Sequence, residues 1–427
     1  MNRRRGWMTA ACFFFLLASA AGAFGGENAR RFEWTTESEE AKRLLVDLQG
    51  RIENFEAGPH LAEIGRKIVA ADPKFAMGEY YLSAVILPQE AQAHLDRAAE
   101  LSKSASDGER RFIEAMVVVR ANQGANFAQG IPLLEKLSAD YPGERLIYMI
   151  LGQLYQGSND SAKVRAAFEK AIAVGPASNR ARSFVANDDL LHEKYGKART
   201  SFEAIEKDLP EGSAPFVIRY GVAFSHLYEG RTEEAVDALE KYLAEYRDSG
   251  ASQGFPEVFI WNSIARIHLE SGNAAEAMKA YEKGYESVPG SAIPEDQKQV
   301  WYGRLLHGKC RALAKLGKHE EAWVEAEKIR QMIEAGGEAG KGYLPAYHYL
   351  VGYLMLERGE MDKAIEHLEQ SNPADPFHRL LLGRAFERKG EKDSAREAYK
   401  EVVASTANGI ERALAYPEAK HKLANLS

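Results

Sequence analysis

The chain has 427 residues, 45% hydrophobic and 27% charged, with a formal net charge of -7. This mixture supports a sizeable core and excludes a disordered chain; the negative balance argues against nucleic-acid binding, which needs a basic face. With only Cys12 and Cys310, a disulfide framework and a multi-cysteine zinc site are excluded too.

The segment Met1–Ala23 reads as a secretory signal peptide. Arg3, Arg4 and Arg5 form a positive start, Trp7 to Ala21 an apolar stretch, and Ala21-Gly22-Ala23 a small-x-small cleavage pattern. About 15 apolar residues fall short of the roughly 20 that a spanning helix needs. No second apolar run of spanning length follows, so no integral membrane span is expected. The expectation is an exported, periplasmic protein cleaved near Ala23. Its single remaining thiol suits that compartment.

From about Glu39 the pattern is helical, without sustained strand-type alternation. Residues 24–144 form degenerate helical pairs. Lys42–Phe75 closes with Asp72-Pro73 but has Gly58 late in its frame, Ala76–Asp107 is irregular, and Arg110–Gly143 has Gly124 at its turn, Pro142 at its close and Pro132 awkwardly placed. From Arg145 a period of about 34 residues sets in. It is clearest over Val258–Ser291, where Trp261, Ile264, Ala265, Gly272, Ala277, Tyr281 and Pro289 occupy unit positions 4, 7, 8, 15, 20, 24 and 32. Positions 4 and 7 supply a buried stripe, and small residues at 8 and 20 allow two helices to approach. Gly at 15 ends the first helix in a left-handed cap. A ring at 24 plugs the gap to the next unit, and proline at 32 stops the second helix. The frame recurs in Arg145–Ser178, Asn179–Gly212, Phe216–Ser249, Gly303–Gly336, Pro345–Asp375 and Pro376–Gly409.

These residues resemble the tetratricopeptide repeat family over roughly Arg145 to Gly409. The resemblance implies an all-α solenoid of helix–turn–helix units, wound as a right-handed superhelix with a concave groove lined by first helices. Repeat arrays carry atypical ends, so residues 24–144 are expected as a decayed N-terminal extension and 410–427 as a capping segment. In that segment Pro417 is expected to interrupt the helix, leaving Ala419, Leu423 and Leu426 on one face. Longer insertions fall at Gly250–Glu257, Ala292–Tyr302 and Gly337–Leu344. One continuous array over 145–409 is favoured, with a split near Gly250–Glu257 as the alternative.

Catalytic patterns occur only in the wrong context. His192-Glu193 and His319-Glu320 begin an H-E-x-x-H motif that lacks its second histidine, and His367 reads as a surface residue. The string Gly336–Gly342 departs from a phosphate loop at Ala335 and Gly342, and reads as a flexible connector. Gly250-Ala251-Ser252-Gln253-Gly254 matches G-x-S-x-G without the strand–turn–helix that this chemistry needs. Glu233-Glu234 and Glu320-Glu321 sit at helix starts, where acids favour the dipole. Cys310 occupies position 8, a packing site. No catalysis, cofactor or metal is expected.

In the family resembled, first-helix positions 2, 5, 6, 9, 12 and 13 face the groove. Here they supply Tyr220, Phe224 and Tyr228, then Asn262 and Arg266, then Arg304, His307 and Arg311, then Tyr349, Tyr353 and Arg384. Some members clamp a peptide carboxylate with Lys, Asn and Arg at set positions. This chain departs from that pattern, with Gly308 at position 6 of one unit. Arginine forks suit carboxylates and aromatic faces hold apolar groups, so the expected function is a non-catalytic scaffold binding a protein or peptide segment, acidic in character. The alternative is a small-molecule or glycan-binding accessory protein of the cell envelope, with the tyrosines stacking on sugar rings.

Overall fold

A computed structural model describes residues 29–124, 126–157, 161–175, 178–248, 257–291 and 293–426. The leader over 1–23, Pro176 and the G-x-S-x-G string with Ser252 lie outside the described residues. Among the described residues all regular structure is helical, and successive helices pack in pairs. The pairs are α1 (Glu39–Glu53) with α2 (Pro59–Ala71), α3 (Ala76–Val85) with α4 (Pro88–Ser102), α5 (Asp107–Gly124) with α6 (Phe127–Asp140), and α7 (Arg145–Gly157) with α8 (Ser161–Val174). Then come α9 (Asn179–Leu191) with α10 (Tyr195–Asp208), α11 (Phe216–Tyr228) with α12 (Thr232–Asp248), α13 (Val258–Glu270) with α14 (Ala274–Glu286), and α15 (Glu295–Lys315) with α16 (His319–Ala335). After a short α17 (Gly337–Gly340) follow α18 (Leu344–Arg358) with α19 (Met361–Glu369), α20 (Pro376–Lys389) with α21 (Lys392–Ala404), and a final α22 (Ile410–Asn425). The chain is an all-α solenoid. The irregular N-terminal pairs share it: one apolar core runs from Phe32 to Ala167, across residues 144 and 145.

The repeat frame works through two local devices. Gly230, Gly272, Gly317, Gly359 and Gly390, all at position 15, have φ between 74° and 90°, a region open to glycine and costly for other residues. Gly58 plays a different part. It precedes α2, while Phe55 itself takes the positive φ after α1, which is why that glycine falls late in the frame. The second device is the ring at position 24. A Cβ on Gly383 would lie 2.4 Å from the fully buried Tyr399 ring of the same unit. One on Gly308 would lie 2.5 Å from Tyr281 of the preceding unit. Position 6 is therefore glycine in that unit because a neighbouring ring fills the space.

The insertions after α14 and α16 are wound rather than loose. From Glu295 onward the first of them is absorbed into α15, which is 21 residues long. Gly337–Leu344 forms α17 and a 3-10 turn at Lys341–Tyr343 leading directly into α18, so it is no flexible connector. Gly340 makes this possible: it lies so close to the carbonyl of Ile333 that a Cβ would sit 1.9 Å from the oxygen.

Pro417 does not interrupt the last helix. α22 runs through it, held on two sides by the fully buried Ala413, Ala415 and Ala419. One face of α22, with Ala413 and Tyr416, joins the core of α9–α14; the other, with Ala415 and Ala419, joins the core of α18–α21. The helix contacts α11, α13 and α20, three first helices of separate units. It thus spans the concavity as a strut.

The concave face as candidate functional site

The first helices bring most of the expected groove residues to the inner face, where three groups form. Tyr220 and Phe224 on α11 are buried, ring to ring at 5.5 Å. The Tyr220 hydroxyl donates to the Phe259 carbonyl (3.2 Å) and pairs with Ser263 (2.9 Å). Asn262 uses its amide to bond the Val258 carbonyl on its own helix. These residues join α11 to α13 and leave little surface.

The second group is a buried guanidinium–aromatic layer between α13, α15, α18 and α20. Arg311, 5% exposed, donates to the hydroxyls of Tyr281 (2.9 Å) and Tyr349 (3.1 Å). Arg266 lies 4.3 Å from the centre of the Phe377 ring and 3.5 Å from the Glu270 carboxylate. The Tyr349 ring is sandwiched between His307 and His378, at 5.3 and 4.0 Å. Tyr353 is fully buried and its hydroxyl has no hydrogen-bond partner among the described residues. Burial works against the Arg311 charge, but Tyr281, Tyr349 and Glu270 outweigh it and raise its pKa. Burial and the neighbouring guanidiniums push both imidazoles down, His307 far below its ordinary value and His378 to about 3. Both rings are therefore neutral. This layer is a core, and replacing Arg266 or Arg311 by an acid would place a carboxylate where these tyrosines and rings are packed.

The third group faces α22. Tyr228, stacked on Tyr195 at 5.1 Å, accepts a hydrogen bond from Arg412 (2.9 Å). Tyr416 donates to Glu193, which also receives Lys420 at 2.5 Å. Arg384 grips Glu418 through both oxygens, at 2.8 and 2.5 Å. A groove arginine does meet a carboxylate, and the carboxylate comes from the chain itself. Of the expected residues, Arg304 alone keeps an exposed side chain, over the Trp301 ring at 4.7 Å.

Several participants escaped the frame. Glu270 stands at position 13 of its unit and was accessible to the same projection. Glu193, Arg412, Tyr416 and Glu418 lie in a turn or in the tail, where no repeat position marks them. Cys310 is fully buried and its thiol is pushed up to about 12 by burial. His348 and His367 pair through their Nδ1 atoms at 2.9 Å, so His367 is half-buried and partnered rather than a free surface residue. Among the described residues no group of three or more His, Cys, Asp or Glu could hold a metal ion, and no helix is long and apolar enough to cross a membrane.

Residues 223–292 and 368–410 match the tetratricopeptide repeat family model. No curated protein matches the chain. Among solved structures, PilW, described as a widely conserved type IV pilus biogenesis factor, is 16% identical over 54% of this chain and 97% of its own, with a TM-score of 0.41. A tetratricopeptide repeat protein from Parabacteroides merdae is 13% identical over 64% of this chain and 98% of its own, TM-score 0.41. The human IFIT1 dimer with PPP-AAAA is 14% identical over 86% of this chain and 94% of its own, TM-score 0.41. The matched repeats coincide with glycine-capped helix pairs of the solenoid, and the chain carries tetratricopeptide repeats over those residues.

Proposed function

We propose that this chain is an exported, non-catalytic scaffold that binds a protein or peptide segment on its concave face, with residues 145–409 as the binding array. The observation that carries this is α22: a helix seated across three first helices, with Tyr416 against Tyr228 (5.9 Å) and Glu418 in the fork of Arg384. A face that takes a helical segment in cis has the shape and charge to take one in trans, and an acidic residue at the place of Glu418 would set its register. The leader over 1–23 supports export to the periplasm.

The test uses the full-length protein with Arg412→Ala and Tyr416→Ala, which loosen the strut, and a labelled synthetic peptide of residues 409–426. Binding of the peptide to the loosened protein, and its loss when Glu418 in the peptide is replaced by Lys, supports the reading. A folded, loosened protein that ignores the peptide removes the concave face as a binding site. Capture from an envelope fraction by the loosened protein, with the peptide as competitor, then identifies the natural segment.

A further inference from the structure

A hollow of about 400 Å³ opens between the N-terminal half of α15, the end of α16 and the turn through α17. Its size falls within the range of small-molecule sites. It is built by the two insertions, 292–302 and 337–344, that set this unit apart from the regular frame. Its walls are apolar, chiefly Val300, Ile329, Met332, Ile333 and Tyr347, and the Tyr343 ring beside it is half exposed.

Gly303 shows that the space is not a packing accident of large neighbours. It sits inside α15, where glycine weakens a helix, yet no contact requires it: a Cβ there would meet nothing nearer than the Met332 methyl at 3.7 Å. The missing side chain leaves that part of the wall open to the hollow. Besides the two tyrosines, three polar side chains reach the wall, Gln299, Arg304 and His307. His307 is held neutral, as described above. Arg304 has no ion pair or hydrogen bond among the described residues, its guanidinium resting on Trp301 and feeling Glu411 only at longer range. The lining is thus largely apolar, with one positive, forked donor in Arg304 and one neutral amide in Gln299.

We propose that this hollow binds an amphiphile with an apolar body and a carboxylate head, the head gripped by Arg304 and the body lying along Ile329, Met332 and Ile333. A single planar fork matches one carboxylate, and apolar walls exclude a sugar or a polar peptide.

The experiment is calorimetric titration of the full-length protein with dodecanoate, dodecanol and dodecyltrimethylammonium, all below micelle-forming concentrations. Dodecanoate is expected to bind one site per chain, at least tenfold tighter than dodecanol, with the cation weakest. Arg304→Gln brings dodecanoate to the level of dodecanol and leaves dodecanol unchanged. Gly303→Leu projects a side chain into the hollow beside Met332 and weakens binding of both by at least about tenfold, with a melting temperature no lower than wild type, so a folding defect cannot imitate the result. The proposal is overturned by absence of dodecanoate binding, by equal affinity for all three head groups, or by dodecanoate binding that Gly303→Leu leaves unweakened. A peptide with an aromatic side chain that binds wild type but not Gly303→Leu, while dodecanoate fails, assigns the hollow to a protein partner instead.

Discussion

Arg412 is the residue on which the seat of α22 depends most, and Arg412→Ala tests that dependence. Its side chain is 3% exposed and makes two hydrogen bonds, to the Tyr228 hydroxyl at 2.9 Å and the Ser405 carbonyl at 2.7 Å. Its guanidinium also lies 4.3 Å from the centre of the Tyr416 ring. Hydrogen bonds from a charged donor contribute about 1.5–3 kcal/mol each, and a desolvated cation–π contact about 2 kcal/mol. Against them stands the cost of burying a cation, several kcal/mol before compensation. The balance predicts a net loss of about 3 kcal/mol. The loss should appear first as local opening of α22. Amide exchange in residues 410–425 is expected to accelerate on the order of 100-fold, the Boltzmann equivalent of that loss, while α20 and α21 change less. Hydrogen exchange read by mass spectrometry, with urea unfolding alongside, measures both. A stability loss under about 0.5 kcal/mol, the range of ordinary surface substitutions, or unchanged exchange in α22, would refute the strut.

Three further outcomes follow from the geometry. Folding depresses the pKa values of His226, His307, His367 and His378, burial being the first cause in each. The unfolded chain therefore binds more protons below pH 6.5, and stability falls as pH drops from 6.5 toward 5, by up to about 1.4 kcal/mol per pH unit for each of His307 and His378, with His226 and His367 adding less because solvent screens them; melting at pH 7.5, 6.5 and 5.5 should show the slope, and His378→Phe, which keeps a ring against Tyr349, should reduce it. Gly383→Ala pushes a methyl into the Tyr399 ring and should cost about 2 kcal/mol, whereas Gly303→Ala, facing open space, should gain about 1 kcal/mol; equal effects in urea unfolding would discredit the account of position 8. Cys310 should stay unlabelled by a thiol reagent in the native protein and react fully in denaturant, since a buried thiol is inert; rapid native labelling would contradict its burial.

The solenoid was legible because its devices are local. A glycine at unit position 15 dictates a left-handed cap wherever it occurs, and a ring at 24 announces a small residue facing it. The strut was not, because its partners lie far along the chain: Arg412 reaches Tyr228 across 184 residues and Lys420 reaches Glu193 across 227. No period in the tail encodes that. Projection onto the inner face named Arg266, Arg311, Tyr349 and Tyr353, which pack against one another, but it assumed an open groove. Curvature and packing bury these residues, so the sequence pattern of a binding lining and that of a polar core coincide here. Glycine in Gly336–Gly342 suggested flexibility; at Gly340 its small size instead permits a close backbone contact.

A stack of repeats ordinarily behaves as a one-dimensional spring, each unit coupled to its neighbours and free to fray from either end. The 16 residues of α22 change that by tying units from the middle and the end of the array together. Loosening α11 or α20 then means breaking this latch as well, and the C-terminal half of the molecule is expected to unfold as one body instead of unit by unit.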